Sequence, residues 1–520
     1  MTSRGPGAAQ PDAPQRQVDV VGHDKHLGRD VDIGLAQRGS KRPAGRVHVP
    51  HRLHEEHPAD RLRPLCLEQS RAVAQATAAR QLPAVRQQIN DPEADVVAGK
   101  PITLARVAES ADDLHARPML PARYPRSVDP SARRRQHAPT SADVVVIGGG
   151  IIGCAAAAIM ADRGAHVVLV ETSAIGAGAS GRNLGAIQHP FDPVLAGLYR
   201  DSLDRYRALA ADDGNDFAIG AAPAGLLLLN RDADAAGAQA RRMADAFPEL
   251  HPELLSADDV HRLEPALALG PAGVRLATGF PVPPAAATSA WASLAEERGA
   301  IVLIGSAARP AVHSGRVAGV DMEDGTTISS DSVLVAAGPW SPSLVDPSGA
   351  WRPIHATYGV TLQLRLAGHA PRHVVEEDEV DAPNRAAAAT ARASEKTDTD
   401  ADPPSLFSIA SAGGVSTLGS TFLAHEPDPA RIGSILLRRA AAYLPTVLEA
   451  EVTGRRMCAR PQSVDGRPFI GAVAGTDDLF VCAGHGPWGI STGPASAAMA
   501  ARAILDGTPP PPELDAARPV

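Results

Sequence analysis

The sequence predicts an α/β fold in two parts: a Rossmann-like dinucleotide-binding domain assembled from separated stretches of chain, and a second α+β domain built on a mixed or antiparallel sheet. Three observations predict it. The first is Asp143–Gly153 (DVVVIGGGIIG), an apolar strand that runs into a glycine-rich turn. The second is the apolar run Ala155–Ala161, read as a helix, then His166–Glu171 (HVVLVE), a buried strand ending in an acid 23 residues after Gly148. The third is the return of short strands and helices far along the chain, up to a second strand-plus-glycine stretch at Asp331–Ser341. Glycines 148, 149, 150 and 153, with Ile151 and Ile152 between them, let the backbone approach a pyrophosphate at the positive N-terminus of the next helix. Glu171 stands near the ~20-residue offset of a carboxylate that grips an adenosine ribose.

The middle of the chain supplies the second part. After Asp192 the pattern predicts a helix over Leu195–Ala211, then a short strand at Gly225–Leu229. Ser256 caps a helix through Leu263, with Asp259 three residues on, and another helix covers 285–299. Ala300–Ile304, Val317–Met322 and Thr327–Ser329 read as strands between glycine turns. Ile354–Leu366 opens a β-rich stretch that Leu406–Ile409 and Gly414–Thr421 close. Between them Asp381–Pro404, rich in Ala, Thr, Asp and Pro, reads as a surface loop, with a lid as the other reading.

The first glycine motif does not by itself separate one dinucleotide from another. Gly176–Ile187 (GAGASGRNLGAI) follows the acid directly. Here the chain resembles the D-amino-acid oxidase superfamily of FAD-dependent amine oxidoreductases, in the branch of glycine and sarcosine oxidases. The resemblance implies that Ser180, Gly181, Arg182 and Asn183 wrap the flavin side of FAD. Ala308 is expected at the same cofactor, as are Ala337 and Gly338 in the returning strand. Arg460–Gly471 (RPQSVDGRPFIG) and Gly484–Ile490 (GHGPWGI) look like the family's C-terminal flavin segment, which assigns Arg460, Gly484, Gly486, Trp488, Gly489 and Ile490 to the cofactor. Cys458 stands seven residues before Asp465, where sarcosine-oxidase-like relatives carry a cysteine bonded to the flavin. Two readings stay open there: a covalent anchor, and a small buried hydrophobe. The resemblance covers about residues 142–507. It implies an FAD-binding domain of about 141–225, 285–345 and 455–507, and a substrate domain of about 226–284 and 346–454. Residues 508–520 are left as a tail.

Composition separates residues 1–140 from the rest. They hold no Phe or Trp, Tyr124 is their only aromatic, and they carry 22 Lys+Arg against 16 Asp+Glu. Such a segment buries too little apolar surface to offset chain entropy, so it is expected to be disordered, or upstream sequence from a wrongly chosen start. Residues 141–520 carry 28 Lys+Arg against 43 Asp+Glu, an acidic balance that disfavours nucleic acid as a partner. No apolar leader opens the chain, and the longest apolar stretch, Val144–Ala161, is broken by glycines, so no transmembrane segment and a cytoplasmic location are expected. Cys66, Cys154, Cys458 and Cys482 show neither metal-ligand spacing nor a disulfide framework.

A flavin of this family implies hydride removal from a carbon bearing an amine, so the expected partners are a small amine or amino acid and an electron acceptor: a quinone, a carrier or O2. The protein must orient the substrate and receive its carboxylate. The four lysines, Lys25, Lys41, Lys100 and Lys396, lie in the tail and the insert, which leaves the carboxylate to Arg, His, Tyr or backbone donors. The same absence removes the lysine associated with oxygen activation in sarcosine-oxidase-like relatives and favours a dehydrogenase over an oxidase. Gln188 and His189, directly after the flavin turn, match where such relatives place a substrate-binding arginine; a loop cap is the other reading of His189. Tyr358 in ATYG and His485 complete the candidate catalytic residues. Two alternatives stay open: a non-catalytic flavin-binding subunit, and a tRNA-modifying amine oxidase of the same superfamily.

Overall fold

The computed structural model describes residues 139–212, 214–378 and 405–519. The expected tail, apart from its last two residues, and the insert 381–404 lie outside the described residues, as do all four lysines. In chain order the described strands are β1 (Ser141–Ile147), β2 (Val167–Glu171), β3 (Ala186–Ile187), β4 (Leu226–Asn230), β5 (Glu253–Leu255), β6 (Ala272–Leu276), β7 (Phe280–Pro281), β8 (Ile301–Ile304) and β9 (Ala308–His313). They continue as β10 (Arg316–Met322), β11 (Thr327–Val335), β12 (Ile354–Arg365), β13 (Val374–Glu377), β14 (Ser405–Ala412), β15 (Val415–Thr421), β16 (Glu451–Ser463), β17 (Phe469–Ala472) and β18 (Leu479–Ala483).

The first sheet runs β17-β18-β11-β1-β2-β8, parallel except at β17, with β10 and β9 extending antiparallel from β11. Val144–Val146 and Val167–Val170 are buried without alternation because both sheet faces are covered. The helix Ile151–Asp162 packs on one face beside the helices Ala286–Glu297 and Gly489–Asp506. Its four consecutive alanines, Ala155–Ala158, are buried and allow close packing on several sides. Gly493 gives the last helix a similar approach: a β-carbon there would lie 3.2 Å from Ile151 Cγ2.

The second sheet runs β16-β12-β15-β14-β13-β4-β6-β5, antiparallel except for β13 against β4. Side chains alternate across it. Val360, Leu362, Leu364, Phe407, Ile409 and Leu418 face the helix Pro429–Ala441 through Ile432, Ile435 and Leu436. On the opposite face Leu226, Leu228, Val374 and Ala410 pack with Leu184, Ala186 and Phe191, which follow the S-G-R-N turn. That face is where substrate sheet and cofactor loop meet.

Most predicted elements fall where the pattern put them. Asp192 caps the helix Pro193–Ala210, and Ser256 and Asp259 form a reciprocal capping box. Three boundaries are corrected. Thr327–Val335 is one strand, not two, because it pairs with β10 at one end and β1 along its length. β16 is a single strand of the second sheet up to Ser463, and so runs across position 455, where the cofactor part is expected to resume. Residues 508–520 are no loose tail: Ile470 N–H donates to Leu514 O at 2.8 Å, and Arg518 pairs with Asp465 while lying over the Phe469 ring.

Candidate active site

The glycine turn is sterically locked. Gly148 has φ +115°, and a β-carbon there would lie 2.5 Å from the Ala336 carbonyl oxygen and 3.1 Å from Ala337 Cα. A β-carbon on Gly153 would overlap the Gly148 carbonyl, so helix and turn touch backbone to backbone. Gly150 is the N-cap of the helix, with Ile151 and Ile152 in its first turn. Glu171, at the end of β2, reaches back so that Gly149 N–H donates to its Oε2 at 2.7 Å, while Ser173 N–H donates to Oε1. Ala337 and Gly338 enter a 3-10 turn directly after β11. Ala308 starts β9, just beyond Gly305, whose N–H donates to the Glu171 carbonyl.

The S-G-R-N turn is tied to both parts. Ser180 Oγ accepts from Ile151 N–H at 3.0 Å, and a β-carbon on Gly181 would overlap the Gly176 carbonyl. Asn183 Nδ2 donates to Ser180 O and Pro284 O, and its Oδ1 accepts from Gly185 N–H. Arg182 donates to Met457 O at 2.9 Å, reaching β16 of the second sheet. Arg456 answers from that strand, donating to Gly181 O and Asn183 O. Burial, with the Arg182 charge adding to it, pulls the Arg456 guanidinium down to about 10. The motifs give no sign of Arg456; the sequence offers only its place two residues before Cys458, on the same side of a strand.

Arg460 lies on the same strand, paired across the register with Thr357. Its Nη1 donates to Thr421 O at 2.7 Å, and the guanidinium stacks 4.6 Å from the Phe422 ring centroid. Among the described residues no carboxylate pairs with it, and burial lowers its pKa. Cys458 lies between the two arginines on β16, buried, opposite Gly359. Thr361 Oγ1 donates to Arg182 O at 3.3 Å, which fixes the odd-numbered side of β12 toward the cofactor turn. Strand alternation therefore puts Tyr358 on the other side, with Val360 and Leu362. The candidate substrate tyrosine thus stands apart from Gln188.

Gln188 and His189 are both buried on the loop after the cofactor turn. Gln188 N–H donates to Ser491 Oγ, and its Nε2 donates to Glu376 Oε1 at 3.1 Å across the interface of the two parts. His189 N–H donates to Thr278 Oγ1, and its ring is boxed edge-on by Tyr199 and Phe247. Burial lowers the His189 pKa, so the ring is neutral at pH 7. His485 is 1% exposed, its ring nitrogens have no hydrogen-bond partner, and burial pulls its pKa down to about 3. It opens the turn Gly486–Trp488, where a β-carbon on Gly486 would lie 2.7 Å from Gln462 Oε1. Gly484 has φ +96°, Trp488 packs edge-on against Phe191, and Gly489 and Ile490 begin the last helix.

The residues present fit FAD. Gly148 and Gly153 leave room for backbone alone beside a helix N-terminus, and the two neutral, unpartnered nitrogens of His485 lie buried in the C-terminal turn. No helix among the described residues is long and apolar enough to cross a membrane.

Comparison with known proteins agrees. Residues 143–503 match the family described as FAD dependent oxidoreductase, and residues 94–187 match that described as pyridine nucleotide-disulphide oxidoreductase. A glycine oxidase of Pseudomonas aeruginosa is 28% identical over 384 residues, covering 71% of this chain and 95% of that protein. A tRNA 5-methylaminomethyl-2-thiouridine biosynthesis bifunctional protein of Nitrosospira multiformis is 47% identical over 77 residues, 15% of this chain and only 12% of that protein. The solved glycine oxidase of Bacillus cereus shares the fold with a TM-score of 0.60 at 24% identity, covering 71% of this chain and 96% of that one. The L-proline dehydrogenase of P. horikoshii shares it at 0.61 and 19%, covering 73% and 96%. From the strand–turn–helix at its start to the helix that closes the flavin segment, the chain belongs to the FAD dependent oxidoreductases, among the glycine and sarcosine oxidase-like members of the D-amino-acid oxidase superfamily, and its cofactor is FAD.

Proposed function

We propose that the protein oxidises a small amino acid, primary or secondary at nitrogen, at the carbon bearing the amine, and that it works as a dehydrogenase. When bound, FAD accepts the hydride from that carbon, leaving an imine that water hydrolyses. The observation that carries the reading is Arg460: a partly buried guanidinium with no acidic partner among the described residues, held by one backbone carbonyl and one aromatic face. Such a group is costly to desolvate and offers paired donors that match a carboxylate. Arg456 is committed to the cofactor turn, and Gly148–Gly153, Ser180 and the turn at His485 hold the dinucleotide. Gln188 closes the loop against the substrate sheet.

The dehydrogenase reading is supported by the cations at the cofactor turn, which are the arginines Arg182 and Arg456; the described residues contain no lysine. Electrons then leave to a quinone or a carrier. Peroxide formation and dye reduction, followed side by side under substrate, test it. Dye reduction well ahead of peroxide is expected, and fast stoichiometric peroxide would overturn the dehydrogenase reading. The short match to the tRNA enzyme favours an aminomethyl group on RNA as second reading. The excess of acids in 141–520 opposes it, since phosphate binding relies on Lys and Arg. Co-purified tRNA would decide for that reading.

A further inference from the structure

The last helix, Gly489–Asp506, carries Pro494 close to its start. Proline has no N–H, and its ring crowds the carbonyl four residues earlier, so Ile490 O loses its usual donor within the helix. Tyr206 fills the gap: its hydroxyl donates to Ile490 O at 2.7 Å. One turn earlier on the helix Pro193–Ala210, Ser202 Oγ accepts from Ala495 N–H at 3.0 Å. Tyr206 and Ser202 are fully buried and, four residues apart, share one face of their helix. Burial pushes the Tyr206 phenol further above its ordinary value, so it stays a neutral donor.

The first turn of the last helix is therefore aimed from outside. Its bonds to the turns behind it are interrupted at Pro494, and the helix Pro193–Ala210 supplies the replacements. That helix is itself anchored where the cofactor loop ends, since Asp192 caps it and accepts from Arg467 of the C-terminal segment. Ser491 Oγ, in the same first turn, accepts from Gln188 N–H of that loop. The free N–H groups of the turn form the positive end of the helix. An independent observation marks a ligand there: His485, 1% exposed in the segment leading into the helix, has no hydrogen-bond partner for either ring nitrogen.

We infer that Tyr206 is a positioning residue which, through the Ile490 carbonyl, fixes the first turn of the last helix against bound FAD and so sets how readily the flavin accepts electrons. The inference rests on the flavin reading of Gly484–Ile490 and adds what aims that segment. A flavin gains negative charge on reduction, and a positive helix end favours that charge most when it is held in place. A tie that served the fold alone would leave the reduction potential of the flavin unchanged.

The test uses the FAD-loaded protein, equilibrated with a reference redox dye in the absence of substrate. Tyr206→Phe keeps the ring against Phe217, 5.6 Å away, and removes only the hydroxyl. At a fixed dye potential the ratio of reduced to oxidised flavin is expected to fall about tenfold, which is about 30 mV for a two-electron couple. Ser202→Ala is expected to lower the ratio in the same direction. Pro494→Ala returns an N–H donor for Ile490 O, so adding it to Tyr206→Phe is expected to bring the ratio most of the way back. An unchanged ratio in both single variants, even with a lower melting temperature, would overturn the inference, as would a double variant that stays as low as Tyr206→Phe. Either result leaves the amino-acid reading standing. That reading fails separately, if no small amino acid bleaches the wild-type flavin.

Discussion

The Arg460 guanidinium occupies the space that a side chain on Gly359 would need: a β-carbon at Gly359 would overlap it. The two residues sit diagonally on paired strands, with Gly359 opposite Cys458 and Arg460 opposite Thr357. Gly359 therefore decides where the arginine points. Gly359→Ala is expected to displace the guanidinium and raise KM for the amino acid about 30-fold to 100-fold, the loss typical of a misplaced buried charge partner. FAD binding should be retained. Steady-state kinetics beside a flavin titration checks both halves.

Gly148 carries the other steric prediction. Alanine there adds strain at φ +115° and a clash with the Ala336 carbonyl. At about 1–3 kcal/mol of strain before the clash is counted, the variant is expected to lose FAD and purify colourless. The ratio of flavin to protein absorbance reads it.

Arg456 ties the cofactor turn to β16 through Gly181 O and Asn183 O. Arg456→Ala is expected to weaken FAD binding about tenfold or more, since two charge-assisted hydrogen bonds are lost. Arg456→Lys restores the charge without the forked geometry and should recover only part. Fluorescence titration of the apoprotein measures it.

His485 gives the molecule an acid-side sensitivity. Its folded-state pKa is held near 3 by burial, against 6.5 for the ordinary group. The unfolded chain therefore binds the extra proton first as pH falls below 6.5. The stabilisation is complete above 6.5 and declines by roughly 1.4 kcal/mol per pH unit toward 3. Urea unfolding from pH 7 to pH 4 should show a shallower decline in His485→Gln than in the wild type.

The cofactor half was legible because its chemistry is local. A strand, three glycines and an alanine helix form one contiguous string, and steric demands at Gly148 and Gly153 leave no other residue type. The substrate half was not. Glu376 sits in VVEE, a run whose alternation is hidden by a second acid, Glu377, which turns to the other face and meets Arg439 and Tyr443. Nothing near it in sequence marks Gln188 as its partner, 188 residues away. Tyr358 was placed by its neighbouring Gly359; the side of the strand that it occupies is set by pairing with β16. The resemblance of Arg460–Gly471 to a flavin segment assigns Arg460 to the cofactor, whereas its contacts are with Thr421 and Phe422 of the substrate sheet region.

Anaerobic bleaching of the flavin band by small amino and N-methyl amino acids tests the central claim most directly. A yellow protein whose visible flavin absorbance is lost with at least one member of the panel is expected. A yellow protein that none of them reduces would contradict it.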